Sequence, residues 1–182
     1  MLWNEIKTIY NAMGGGKYMI EEPITQVQHA IQTSLQVKRL GGDEMLQIAG
    51  LLHDIGHLIQ PVINPTDNVD DSHEIVGTEW LKSRGVDKCI TEPIRLHVDA
   101  KRYLCNITEN YISKLSPASR HTLTLQNGIM SDTEATDFES NPYFKAALIL
   151  RRADDLGKDI SLDSLPSFDS FEKLVNLAIK NE

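Results

Sequence analysis

Ala49-Gly50-Leu51-Leu52-His53-Asp54-Ile55-Gly56-His57 ends an apolar helical run with an imidazole and a carboxylate side by side. A polar group near a core must be hydrogen-bonded, paired or bound to a metal. The adjacent His53-Asp54 pair therefore points to metal ligation, and what else reaches the pair decides the fold. Asp43 is a side-chain cap for the helix that carries it, expected over Glu44 to Ile59.

Helical periodicity continues on both sides. Leu2 to Met13 reads as a first helix, stopped by Gly14-Gly15-Gly16. Thr25 caps a helix to Leu40, with Val27, Ala30, Ile31, Leu35 and Val37 at apolar positions. After a polar, acidic loop from Pro61 to Asp71, Ser72 caps a helix over His73 to Ser83. Asp87 opens a helix to about His97, which Ala100 to Asn106 continues with a bend. Ile107–Leu115 and Pro117–Gln126 read as shorter helices, the second with proline at its first turn. Pro142 starts a strong helix from Tyr143 to about Gly157, and Asp169–Lys180 forms a tail. No alternating strand pair occurs. The expectation is an all-α bundle of about seven to nine helices, one domain over residues 1–182.

The formal net charge of −8 argues against a broad nucleic-acid surface, which needs clustered Lys and Arg. The local pairs Lys101-Arg102 and Arg151-Arg152 fit a small anionic ligand better than a polymer. Cys89 and Cys105 have no metal spacing and are expected as free thiols of a reducing cytoplasm. The N-terminus lacks a signal-peptide pattern, and no apolar run reaches transmembrane length. A cytoplasmic protein with neither nucleic-acid nor membrane partners is expected; oligomeric state is open.

Of six histidines, His29, His53, His73 and His97 fall on four different expected helices. Asp54 and Asp154 complete an ordered set, H…HD…H…H…D. A single histidine on an apolar face is ordinarily a hydrogen-bonded core residue, and His29 alone would be read so. Four imidazoles and two carboxylates suffice for two metals if Asp54 bridges them. Imidazole with carboxylate suits iron, manganese or zinc, and the lack of thiolate argues against a structural zinc site. Open coordination positions favour catalysis.

This ordered set resembles the HD-domain superfamily, over about residues 25–158. Glu22-Pro23-Ile24-Thr25-Gln26-Val27-Gln28-His29 and Arg151-Arg152-Ala153-Asp154-Asp155-Leu156-Gly157-Lys158 are further similar to the mixed-valent diiron oxygenases. Those are myo-inositol oxygenase and the phosphonate-cleaving oxygenases, which convert 2-amino-1-hydroxyethylphosphonate to glycine and phosphate. The resemblance implies a mixed-valent Fe(II)/Fe(III) pair, a small organophosphonate substrate and O2. By it, His29, His53, Asp54 and Asp154 hold one iron, and Asp54, His73 and His97 the other. The resemblance also implies Asp154 in place of Asp155, because the four-residue spacing from Asp154 to Lys158 is similar to the ending of the inositol enzyme.

His57 lies three residues after Asp54, Lys101 four after His97, and Arg151 three before Asp154. Each metal-bearing helix thus presents a cation-capable side chain beside a ligand. Such a trio suits a doubly charged phosphonate; read singly, Lys101 and Arg151 would be solvated charges. Ser119 and Thr122 resemble the family's hydroxyl-bearing substrate helix, or are surface polar residues. Tyr18 and Glu21, three apart, resemble a lid that closes over the irons. Glu22 stands where the family's glutamate is expected, so which glutamate acts is open. His121 is expected to be exposed and without a role. The alternative function is a dinuclear HD phosphohydrolase acting on a nucleotide through the same six ligands. A third reading is a catalytically silent HD domain that senses a nucleotide or partner.

Overall fold

The computed structural model describes residues 1–16, 24–60, 72–162 and 164–179. These form eleven α-helices and one short 3-10 turn, with no strand among the described residues. The first helices are α1 (Leu2–Met13), α2 (Gln26–Arg39), α3 (Glu44–Leu52), α4 (Ile55–Ile59), α5 (His73–Lys82) and α6 (Lys88–Ile107). Then follow α7 (Tyr111–Lys114), α8 (Pro117–Leu125), α9 (Asp132–Glu139), α10 (Phe144–Leu156) and α11 (Glu172–Val175).

Several caps are those expected from sequence. The Thr25 hydroxyl accepts from the Gln28 amide while the Gln28 side chain accepts from the Thr25 amide, a reciprocal box that starts α2. Asp43 accepts from the Leu46 amide and starts α3. Three differences have local causes. The helix expected over Glu44 to Ile59 breaks at His53-Asp54, where Asp54 adopts φ −102° and ψ 11°. Neighbouring residues in a continuous helix point about 100° apart, so the break lets both side chains face the same space. Ser72 does stand at the start of α5, but at φ 49°, and its side chain caps nothing. Helix α9 was absent from the sequence reading, although a Ser131–Glu134 capping box marks its start. The break and α9 account for a helix number above that expected.

Five helices, α2, α3, α5, α6 and α10, pack against one another around the ligand set. Helix α6 runs through Pro93 without interruption and carries a buried stripe of Ile90, Ile94, His97, Lys101 and Leu104 at helical spacing. Its N-terminal half joins the main apolar cluster, with Leu51, Leu52, Ile55 and Leu81. Its C-terminal half joins a second cluster, with Met130, Phe138 and Ala147. On the outside, the Tyr10 hydroxyl donates to the Leu51 carbonyl at 2.8 Å and pins α1 onto α3. The tail returns to the α5–α6 junction, where Val86 pairs with Ile179. No helix among the described residues is long and apolar enough to cross a membrane.

Candidate metal centre and anion pocket

Backbone carbonyls aim three of the four histidines. His29 Nδ1 lies 2.9 Å from the Gly157 carbonyl, His53 Nδ1 3.0 Å from the Gly50 carbonyl, and His97 Nδ1 2.7 Å from the Ile94 carbonyl. A carbonyl oxygen only accepts, so each Nδ1 donates a proton and each neutral ring presents a bare Nε2. These nitrogens face one another. His29 Nε2 is 3.2 Å from His53 Nε2, and His73 Nε2 is 3.2 Å from His97 Nε2.

The carboxylates stand between the nitrogens. Asp54 Oδ1 lies 3.3 Å from His53 Nε2, 3.4 Å from His73 Nε2 and 3.8 Å from His97 Nε2, while Oδ2 is 3.6 Å from His29 Nε2. Asp154 Oδ1 lies 3.2 Å from His29 Nε2 and 3.8 Å from His53 Nε2. All six residues are buried. Asp54 Oδ2 and Asp154 Oδ1 accept no hydrogen bond. Bare nitrogens and orphaned carboxylate oxygens at this spacing repel unless a cation lies among them. Ligand atoms about 2.1 Å from one ion and at right angles to each other are themselves about 3 Å apart. The donor set thus fits metal, and the division is legible: Asp54 sits between a His29–His53–Asp154 group and a His73–His97 group.

The electrostatics agree with that fit. Burial alone pushes His53 down, but the Asp54 and Asp154 carboxylates outweigh it and raise its pKa to about 9. Burial lowers His29, and burial with the neighbouring His73 and His53 holds His97 well below its usual range. Asp54 is held well below the carboxylate range against the effect of burial, chiefly by His53. Arg151 and Lys158 do the same for Asp154.

Close backbone approach makes the geometry possible. A Cβ on Gly56 would overlap the His73 carbonyl group, 2.7 Å from its carbon. A Cβ on Gly157 would collide with the Thr33 hydroxyl and lie 3.1 Å from its amide nitrogen. The first glycine lets α5 bring His73 to Asp54. The second lets the end of α10 meet α2, so that one carbonyl orients His29 while Asp154 arrives beside it.

Next to Asp154 lies a cluster of cations and hydroxyls. Lys158 Nζ is 3.6 Å from Asp154 Oδ1 and 3.3 Å from Ser119 Oγ. Arg151 Nη1 is 2.6 Å from Asp154 Oδ2, and its Nη2 is 3.5 Å from Ser119 Oγ. Lys101 Nζ donates to Thr122 Oγ1 at 2.8 Å and to Gln126 Oε1. Burial, with Arg151 and Lys158 nearby, lowers the Lys101 pKa to about 7. Arg151 Nε is buried with no hydrogen-bond partner. Asp155 accepts from Arg151 Nη2 with one oxygen and from the Tyr111 hydroxyl with the other.

The structure brings Lys101 against Thr122, and Arg151 against Ser119. Sequence reasoning missed Gln126, Tyr111 and the pocket role of Lys158. The i, i+4 spacing of Asp154 and Lys158 was the available signal for the lysine. His57 goes elsewhere: its ring stacks on His73 at 3.9 Å between centroids. Atoms of Asp54, His57 and His73 also come within 4.8 Å of one another, so His57 offers a further ligand atom on that side. Arg102 belongs to the scaffold, bound to Glu134 at 2.7 Å, Asp99 and the Gly128 carbonyl. His121 is exposed. Tyr18, Glu21 and Glu22 lie outside the described residues.

The family model of the HD domain matches residues 27–159. Hydroxymethylphosphonate dioxygenase of Gimesia maris is 40% identical over 146 residues, 79% of this chain and 72% of its own length. The glycine-betaine-forming [1-hydroxy-2-(trimethylamino)ethyl]phosphonate dioxygenase of Leisingera caerulea is 35% identical over 169 residues, 92% of this chain and 85% of its own. An uncharacterised protein of Acanthamoeba polyphaga mimivirus is 38% identical over 176 residues, 94% of this chain and 79% of its own. With its matched HD core and these relatives, the chain belongs to the HD-domain family and, within it, to the phosphonate dioxygenases, which are oxidoreductases.

Proposed function

We propose that the protein is a diiron oxygenase that cleaves the C–P bond of a 1-hydroxyphosphonate such as 2-amino-1-hydroxyethylphosphonate, giving a carboxylate and phosphate. One observation carries this reading. A cluster of three cations, with Lys101 and Arg151 buried, adjoins the Asp154 carboxylate, and two of the three, Arg151 and Lys158, touch both Asp154 and Ser119. A phosphonate bound there sits with its 1-carbon beside the metal position.

His29, His53, Asp54 and Asp154 would hold one iron, and Asp54, His73 and His97 the other, in the mixed-valent Fe(II)/Fe(III) state. When bound, the iron pair supplies activation of O2 and of the substrate hydroxyl. The protein's own residues bind and orient. Lys101 and Lys158 give charge to the phosphonate, and Arg151 Nε gives the buried donor that has no other partner. Ser119 and Thr122 hydroxyls fix the rotation of the phosphonate oxygens. Atoms balance for R–CH(OH)–PO3H2 + O2 → R–COOH + H3PO4, with one oxygen atom gained by carbon and one by phosphorus. Apolar packing around the centre keeps competing water out.

The test is oxygen uptake by the iron-loaded protein with 2-amino-1-hydroxyethylphosphonate, hydroxymethylphosphonate and the trimethylammonium analogue. Stoichiometric O2 consumption and phosphate release with one of them is expected. Phosphate release from nucleotides without O2 would replace this reading with a phosphohydrolase.

A further inference from the structure

Asp154 is held asymmetrically. Its Oδ2 accepts from Arg151 Nη1 at 2.6 Å, whereas its Oδ1 faces His29 Nε2 at 3.2 Å and accepts no hydrogen bond. Arg151 is itself not free to choose. Its Nη2 donates to Asp155, and the other Asp155 oxygen accepts from the Tyr111 hydroxyl. The result is a chain of four groups from the short helix α7 to the metal position: Tyr111, Asp155, Arg151, Asp154. Two carboxylates, from consecutive residues of α10, grip one guanidinium in a plane. Arg151 is 4% exposed, so burial strengthens the grip at the guanidinium. Asp155 bonds Arg151 and Tyr111, whereas Asp154 faces His29, which separates the two roles.

We propose, on the strength of the metal reading above, that Tyr111 and Asp155 are positioning residues. They hold Arg151 so that it occupies one oxygen of Asp154 and leaves Oδ1 as its single metal-facing atom. A carboxylate that cannot turn its second oxygen inward keeps one coordination position open. The same grip fixes the guanidinium whose Nε is the unpartnered buried donor assigned above to the phosphonate. Tyr111 and Asp155 thus set both the coordination number at the Asp154 side and the register of the anion.

Co(II) provides a readout independent of turnover, because its visible ligand-field band loses intensity when another oxygen joins the coordination sphere. Tyr111→Phe keeps the ring and removes the hydroxyl; Asp155→Asn keeps the shape and removes the charge. Both variants are loaded with Co(II), and the band, the metal affinity and the substrate KM are compared with wild type. A weaker band, Co(II) affinity lower by about tenfold and a raised KM are expected in both variants. Asp155→Glu, which keeps the charge, should recover most of the band. Variants that melt at lower temperature but match the wild-type band and KM overturn the inference, leaving a structural role alone. Wild-type protein that takes up no Co(II) overturns the metal reading and the inference with it, a result separable from the first.

Discussion

Gly56 lies against the backbone of His73 so closely that a methyl group there would overlap the His73 carbonyl group. The contact sets how far α5 can approach Asp54, and so whether His73 Nε2 stands 3.4 Å from Asp54 Oδ1. Gly56→Ala should therefore push His73 away. Overpacking of this kind costs about 1–3 kcal/mol. A lowered melting temperature together with loss of the metal on the His73 side is expected, read by thermal unfolding and metal content. A variant with full metal content would show that α5 is not placed by this contact.

Metal occupancy should divide along the ligand groups. His73→Ala removes a ligand from the His73–His97 group and leaves His29, His53 and Asp154 untouched. It should lose one metal and retain the other. Asp54→Asn weakens both, since Asp54 faces both groups. Iron content of the purified variants checks this. Equal loss in the His73 and Asp54 variants would contradict the division.

Lys101 should make substrate binding depend on pH. With its pKa lowered to about 7, its amine is charged below that value and neutral above it. A phosphonate prefers the ammonium, so affinity should be highest below about pH 7 and fall as pH rises through it, by up to about tenfold per unit. For folding the sign is separate. The unfolded lysine takes up its proton near 10.5 and the folded one near 7, so this group destabilises the fold as pH drops between those values. Lys101→Arg, which stays charged, should abolish the binding limb. The substrate's own ionisation is common to both proteins and cancels in the ratio of their affinities.

His121 serves as the contrast. It is exposed on α8, on the same helix as Ser119 and Thr122. His121→Ala should change stability by no more than about 0.5 kcal/mol and leave oxygen uptake intact. A large loss of activity would place that face of α8 in the site.

The residues themselves determined the helical class and most of the caps, and they marked the six histidines and aspartates that the folded chain gathers. Helical periodicity and Ser/Thr/Asp caps act over a few residues, and a histidine next to an aspartate in an apolar run is unusual enough to be read without a structure. Tertiary structure alone decided where neighbouring side chains point. The break between α3 and α4 turns both His53 and Asp54 into one space, which a continuous helix would not do. His57, three residues from Asp54, stacks on His73 and away from the anion pocket. Arg151, read as a plain substrate cation, is gripped by Asp154, Asp155 and, through Asp155, Tyr111 from a helix 40 positions upstream. These outcomes depend on close packing and on charge pairs far apart in sequence. Local propensity carries no record of such pairs, because the energy that selects them exists only once the helices have met.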